Sequence, residues 1–440
     1  MKKVLVLGAG LVTGPHVHYL LGVRDFHITV ASRTLSKARA LVRGHANGTA
    51  VQLDVSDETQ VRKLIGKSDV AVSMLPYVHH PLIARICIEL KKDMVTTSYV
   101  SDAMEALDGP AIEAGVLILN EVGVDPGTDH MSALRVIHGV QKDGGTVVGF
   151  TSYCGGLPAP ESNTNPLGYK FSWSPRGVLL AGKNAARWRE EGKEITIPGQ
   201  ELFDHHWSVP IEGLGKFEGY PNRNSLPYAE IYGIPDARTI FRGTLRYPGW
   251  CETMRTLVGS GWLDEEPIDL GHFTFKTLTL KLLGASTDDV REEAITRLNM
   301  NPGSYAFKNV EWLGLFSDDP LPIKEGSPFD VIAARMLDRM QYDKGERDML
   351  VMQHEFVAEY PKHREKIIST MIDYGVPHGE TSMSRTVGLP AAIAVRLILQ
   401  DKVKLTGVHR PVMPELYEPI LSELEELGIG FAEKVEPLAG

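Results

Sequence analysis

The stretch VLVLGAGLVTGP, residues 4–15, places Gly8 and Gly10 at the end of an apolar run, with Thr13 and Gly14 where a third glycine is expected. In such a turn the first glycine permits the tight bend and the second lets an anion approach the backbone. The helix that opens behind them aims free N–H groups and a partial positive charge at that anion. A G-x-G alone is a weak signal. One that follows an N-terminal apolar strand, opens a helix and heads a series of strand–helix units marks a dinucleotide site. About twenty residues on, an acid would hold the ribose hydroxyls of NAD. ITVASRTLSKA (28–38) has Ser32, Arg33 and Thr34 there instead. A planar, always-charged guanidinium between two hydroxyls suits a 2′-phosphate, which a carboxylate would repel. The pattern predicts NADP(H) as cofactor.

These residues need a sheet to hold them. Short apolar runs recur at 4–7, 27–31, 50–53, 70–75, 94–97 and 116–119, with helical patterns around 14–22, 34–43, 57–65, 81–90 and 101–114 between them. Unalternating β runs separated by helices predict a parallel sheet covered on both faces. Right-handed crossovers make it a doubly wound, Rossmann-type α/β domain. Ligands in such sheets bind beyond the carboxyl ends of the strands. That rule adds Asp54 and Val55, the SMLP of 73–76, and Thr97 and Ser98 to the cofactor site.

Bulk properties narrow the class. The 440 residues are 43% hydrophobic and 23% charged, an ordinary globular balance with room for two or three domains. With 46 basic against 56 acidic residues the net charge is −10, which argues against a broad nucleic-acid surface. Cys87, Cys154 and Cys251 are too scattered for a metal pair or a disulfide framework, and a reducing, cytoplasmic setting is expected. MKKVLVLGAGLV is broken by Gly8 and Gly10 and lacks a small-residue cleavage site, so it reads as a first strand rather than a signal peptide. No run of eighteen apolar residues exists, and no membrane span is expected.

After residue 125 the texture changes. Gly- and Pro-rich stretches at 154–175 and 220–250 predict long loops, and their aromatics argue for order. Residues 252–342 read as mostly helical, with the Met and Leu stripe at 331–340 as core. Strand patterns return at 348–360 and 364–375 as an antiparallel pair, and helices are expected at 390–400 and 413–428.

Five strings carry further chemistry: TTSYVS (96–101), NEVGVDPGTDH (120–130), SYCGGLPAPESNTNPLGYKFSWSPRGV (152–178), GYPNRNS (219–225) and RGTLRYPG (242–249). From VLVLGAG through MSRTVGLPAA to ELYEPILSELEELGI, the chain resembles the glutamate-forming saccharopine dehydrogenases. The resemblance implies a reversible reaction in lysine synthesis or breakdown. L-Saccharopine, NADP+ and water give L-glutamate, 2-aminoadipate 6-semialdehyde and NADPH. It also implies a homodimer of three-domain subunits. Residues 1–125 and about 390–440 would form the NADP-binding Rossmann domain. Residues 126–251 and about 343–389 would form an α/β substrate-binding and dimerisation domain, and 252–342 a helical insertion.

By motif, the resemblance places Leu11, Val12 and Thr13 after the phosphate turn and Ser32, Arg33 and Thr34 at the 2′-phosphate. Asp54, Val55, Leu75, Thr97 and Ser98 would line the rest of the cofactor, with Val124, Asp125, Pro126 and Ser174 closing over it. Saccharopine would be held by Ser98, Tyr99, Asp125, Arg223, Thr244, Leu245 and Arg246. The residue types fit: saccharopine carries three carboxylates and two amines, arginines grip carboxylates bidentately, and Asp125 can accept from an ammonium group. Imine formation and hydrolysis move protons, for which Tyr99, Asp125 and Cys154 are the candidates. Cys154 also reads as a small buried residue.

The Rossmann start alone also fits a sibling imine-reducing enzyme, such as carboxynorspermidine dehydrogenase, or a non-catalytic NADP(H) sensor. The paired arginines favour a tricarboxylate. The adjacent pairs His79 with His80 and His205 with His206 lack companions at metal-site spacing and read as surface or core residues, so no metal is expected. Trp173 and Trp250 fit either a pocket floor or packing.

Overall fold

The computed structural model describes residues 1–285 and 287–438. The chain folds as two units. The first comprises Met1–Val147, Ala358–Glu365 and Ser369–Gly440; the second comprises Val148–Val357 and Lys366–Ile368.

In the first unit all six apolar runs form strands: β1 Lys2–Leu7, β2 Phe26–Ser32, β3 Gly48–Gln52, β4 Val70–Ser73, β5 Asp93–Thr96 and β6 Leu117–Leu119. Helices α1 (Thr13–Leu21), α2 (Leu35–Val42), α3 (Glu58–Gly66) and α4 (His80–Glu89) follow the first four strands. The strands pair in parallel in the order β3-β2-β1-β4-β5-β6, and the strand Gly407–His409 adds in parallel beyond β6. The order reverses at β1, which opens a crevice at its carboxyl end. Every residue of β4 is at most 1% exposed, as are residues 4–7 of β1, so the unalternating pattern reflects burial on both faces.

The helical pattern at 101–114 divides into Asp102–Glu105 and Asp108–Ala114. Pro110 has no N–H to bond back to the preceding turn and fits only in the first turn of a new helix.

The apolar helix expected at 390–400 starts earlier, at Ser382, and runs to Leu399 with Pro390 inside it. The Thr381 hydroxyl caps it by accepting from the Ser384 N–H at 3.0 Å. By length and composition it could cross a membrane, yet 83% of its apolar window is buried. It packs on α1 through Gly388, where a Cβ would lie 2.9 Å from the Val12 carbonyl oxygen and 3.1 Å from the His16 nitrogen. The C-terminal helix Pro414–Glu426 lies where expected, and the strand Ala432–Leu438 beyond it carried no clear sequence signal.

The second unit is built on a mixed sheet that includes Trp207–Ile211, Gly215–Pro221, Thr239–Arg246 and Thr146–Pro158 in that order. Thr239–Arg246 runs parallel to Thr146–Pro158 and antiparallel to Gly215–Pro221. Of the stretches expected as long loops, residues 154–158, 220–221 and 239–246 are strand, while most of the rest lies outside strands as expected. Glycines weaken a strand pattern, but here they admit close neighbours: a Cβ on Gly155 would stand 2.8 Å from the Leu245 Cβ. Residues 252–342 are helical as expected, in Trp250–Gly259, Phe275–Leu283, Val290–Arg297, Tyr305–Trp312 and Pro328–Arg339. In the 331–340 stripe Val331, Ile332, Met336 and Met340 are fully buried, while Leu337 is exposed. Strands Asp348–Glu359 and Arg364–Tyr374 form as expected, and the turn between them closes with the Tyr360 N–H donating to the His363 carbonyl.

His16 sits fully buried between α1 and the Ser382–Leu399 helix, its Nδ1 3.2 Å from the Gly388 carbonyl oxygen. Burial drives its pKa down to about 4, and the Gly388 contact offsets only part of that. The unfolded chain therefore binds a proton that the folded chain refuses between pH 6.5 and about 4, and stability is lost as pH falls through that window. The loss from this one group is about 3 kcal/mol. Thermal unfolding of His16→Gln should show a shallower fall over the same window than the parent chain. Equal slopes would remove His16 from the account.

Candidate active site

The glycine turn after β1 is tight at Gly8 and open at Gly10. Gly8 has a φ of +112°, and a Cβ there would lie 2.8 Å from the Met74 carbonyl oxygen. A Cβ on Gly10 would meet nothing within 4 Å, so the backbone is open to an approaching anion. The Gly10 N–H donates to Thr13 Oγ1 at 3.1 Å, which ties the turn to α1. No side chain caps that helix and its first turn holds no acid; the Thr13 N–H donates to the Gly10 carbonyl at 3.3 Å and Pro15 has no N–H, which leaves the Gly14 N–H to face a phosphate. Leu11 and Gly10 are exposed, Val12 is half-buried and Thr13 is buried.

At the end of β2, Arg33 and Thr34 are exposed and Ser32 is half-buried, its Oγ accepting from the Thr34 N–H at 3.3 Å. Among the described residues no carboxylate forms a salt bridge with Arg33, whose charge acts on Asp54 only at longer range. Beyond β3, Asp54 is exposed and Val55 half-buried. The Ser56 N–H and hydroxyl, followed by the charges of Arg33 and His79, hold the Asp54 carboxyl below the usual range. Leu75 follows β4, and Thr97 and Ser98 follow β5, all half-buried. The open turn, the uncapped helix and the unpaired guanidinium fit a dinucleotide with a 2′-phosphate.

The fold of the same unit joins Tyr99 to Asp125. Tyr99 Oη donates to Asp125 Oδ1 at 2.9 Å, and both residues are half-buried. Val124 and Pro126 beside Asp125 are buried, and the Asp125–Pro126 peptide is cis. Gly127, with a φ of +145°, lies so close to Gly123 that a Cβ would fall 2.3 Å from its nitrogen.

One site neighbour was missed. His80, one of the adjacent pair that reads as surface or core, is core: it is 2% exposed and joins the ends of β4 and β5. Its Nδ1 lies 2.9 Å from Ser73 Oγ and its Nε2 lies 2.9 Å from Ser98 Oγ. Burial, then the charge of His79, pushes its pKa down to about 4, so it is neutral at pH 7 and fixes the Ser98 hydroxyl. A buried Ser at the end of one strand and another Ser beyond the next was the available signal.

In the second unit, Cys154 pairs in register with Thr244, and Tyr220 stands on the other side of Thr244. Thr244 and Arg246 share one face of their strand. Leu245 faces away, fully buried, and its carbonyl accepts from Arg246 Nη1 at 2.8 Å. Arg246 is 5% exposed, with its guanidinium carbon 4.9 Å from the Tyr169 ring centre and 5.3 Å from that of Trp250. Its Nε has no hydrogen-bond partner, and no carboxylate among the described residues pairs with it. Trp250 thus packs and lines this arginine at once. Cys154 is half-buried and forms no disulfide. Arg223 is exposed at a φ of +56°, its carbonyl accepting from the Arg187 N–H at 2.9 Å. Ser174 caps the helix Pro175–Ala181 by accepting from the Gly177 N–H at 3.2 Å.

Known proteins resemble this chain along nearly its whole length. Residues 4–119 match the family model described as the saccharopine dehydrogenase NADP binding domain, and residues 123–429 match the saccharopine dehydrogenase C-terminal domain. The chain is 40% identical to the saccharopine dehydrogenase [NADP(+), L-glutamate-forming] of Schizosaccharomyces pombe, with 99% of each chain covered. It is 38% identical to the alpha-aminoadipic semialdehyde synthase of Arabidopsis thaliana, with 98% of this chain and 45% of that protein covered. The solved apo structure of saccharopine dehydrogenase (L-Glu forming) from Saccharomyces cerevisiae superimposes with a TM-score of 0.91 at 38% identity, over 99% of this chain and 100% of that one. The chain belongs to the saccharopine dehydrogenase family.

Proposed function

We infer that the chain catalyses the reversible, NADP-dependent conversion of L-saccharopine and water to L-glutamate and 2-aminoadipate 6-semialdehyde in lysine metabolism. On the substrate side the reading is carried by Arg246, a nearly buried guanidinium on an aromatic shelf with no carboxylate of its own. A cation removed from water costs several kcal/mol unless an anion joins it, and saccharopine brings three carboxylates. Arg223 is the second, exposed cation, and Ser98 and Thr244 offer hydroxyls.

NADP(H), when bound, exchanges a hydride with the carbon of the C–N bond. The Gly8–Gly10 turn and the Gly14 N–H of α1 hold the pyrophosphate, and Ser32, Arg33 and Thr34 take the 2′-phosphate. Tyr99 and Asp125 move the protons that imine formation and hydrolysis require, and Cys154, beside Thr244, is the third candidate. Residues 252–342, five helices in sequence, form the helical insertion on the substrate-binding part. The family resemblance supports a homodimer, and the scattered cysteines support the cytoplasm.

Purified protein should oxidise saccharopine with NADP+ far faster than with NAD+, followed by the near-ultraviolet absorbance of the reduced cofactor. Arg33→Asp should weaken NADPH and narrow that gap. No turnover with either cofactor, or an unchanged ratio in the variant, would contradict the assignment.

Arg246→Met removes an unpaired buried charge at similar volume, so thermal stability should hold or rise. KM for saccharopine should climb roughly thirtyfold or more. A destabilised variant with normal KM would make Arg246 a structural residue.

A further inference from the structure

Glu121 follows β6 with a φ of +59° and is 1% exposed. Few non-glycine residues hold that conformation, and a buried carboxylate is costly unless paired. Its bonds reach both flanks of Tyr99. The Glu121 N–H donates to the Ser98 carbonyl at 3.1 Å, and Glu121 Oε1 accepts from the Val100 N–H at 2.9 Å. The same oxygen accepts from Arg410 Nε at 3.0 Å, while Oε2 lies 2.8 Å from His130 Nε2. Burial alone would raise the Glu121 carboxyl, but the His130 contact, Arg410 and the Val100 N–H together hold it low.

The chain of contacts continues to Asp125. His130 Nδ1 lies 3.5 Å from Asp129 Oδ1, which accepts from the Gly127 N–H at 2.6 Å. Asp129 and His130 are at most 1% exposed. A carboxylate–imidazole–carboxylate series thus grips the segment carrying Tyr99 at one end and the loop carrying Asp125 at the other. Tyr99 Oη and Asp125 Oδ1 meet across it.

We propose that Glu121, acting through His130 and Asp129, is a positioning residue that sets the alignment of the Tyr99–Asp125 pair. The proposal rests on the reading above that this pair moves protons. Apolar residues could close the same loops without burying charge; a directional, charge-assisted network fixes the angle at which the loops meet.

A double-mutant cycle of Glu121→Gln with Tyr99→Phe tests it, with kcat, KM and NADPH affinity measured for each protein. Glu121→Gln should lower kcat roughly ten- to hundredfold while NADPH affinity stays within about twofold of the parent chain. Adding it to Tyr99→Phe should cost nothing further, because the pair it aligns is already broken. Additive losses in kcat, or NADPH affinity falling in step with kcat, would overturn the proposal. If Glu121→Gln does not fold, His130→Gln must show the same non-additivity, and additivity there overturns the proposal equally. If Tyr99→Phe and Asp125→Asn leave kcat intact, the proton-transfer reading itself fails. If they lower kcat and Glu121→Gln does not, only the positioning role fails.

Discussion

A charge taken out of water must find an opposite charge, and this chain meets that requirement in two ways. Glu121 is satisfied within the fold by Arg410, His130 and a backbone N–H. Arg246, equally removed from solvent, is left with a carbonyl and two aromatic faces. The first arrangement closes a network and gives rigidity. The second leaves a buried guanidinium without a carboxylate, which is the ground for the proposal that an acidic substrate binds there. Arg33 is a third case: exposed, so its unpaired charge costs little, and free to take a phosphate.

The backbone is arranged around these charges by contacts that no larger residue allows. Gly8 lets the chain turn hard against the Met74 carbonyl, where a Cβ would clash, while Gly388 lets a long core helix lie directly on the start of α1. Helix α1, behind the glycine turn, is thereby braced by the Ser382–Leu399 helix. Arg410, which reaches Glu121, follows the strand that extends the sheet beyond β6. Residues after 380 thus reach both the start of α1, through Gly388, and Glu121, through Arg410.

Much of this was legible in the sequence because it is local. The six apolar runs, the glycine turn and Ser32-Arg33-Thr34 need only neighbouring residues to be read. The Rossmann-type sheet follows from their alternation. What was not legible depends on residues brought together from afar. Glu121 and Arg410 are 289 positions apart, and His80 looked like half of a histidine pair until burial joined it to Ser73 and Ser98. The missing partner of Arg246 is an absence among side chains that no spacing displays. The strands around Gly155 are hidden because a glycine placed for close approach resembles a glycine placed for a loop, and the first turns of the helix at Ser382 are hidden because Pro390 resembles a helix start.

The pairing of Arg246 with a substrate carboxylate is open to a cycle between ligand and protein. Saccharopine and three analogues, each with one carboxylate replaced by an amide, are titrated into the NADPH-loaded protein and into its Arg246→Met variant. For one of the three positions the loss from the amide and the loss from the variant should overlap, so that both together weaken binding no more than either alone. Independent, fully additive losses at all three positions would show that Arg246 does not hold the substrate.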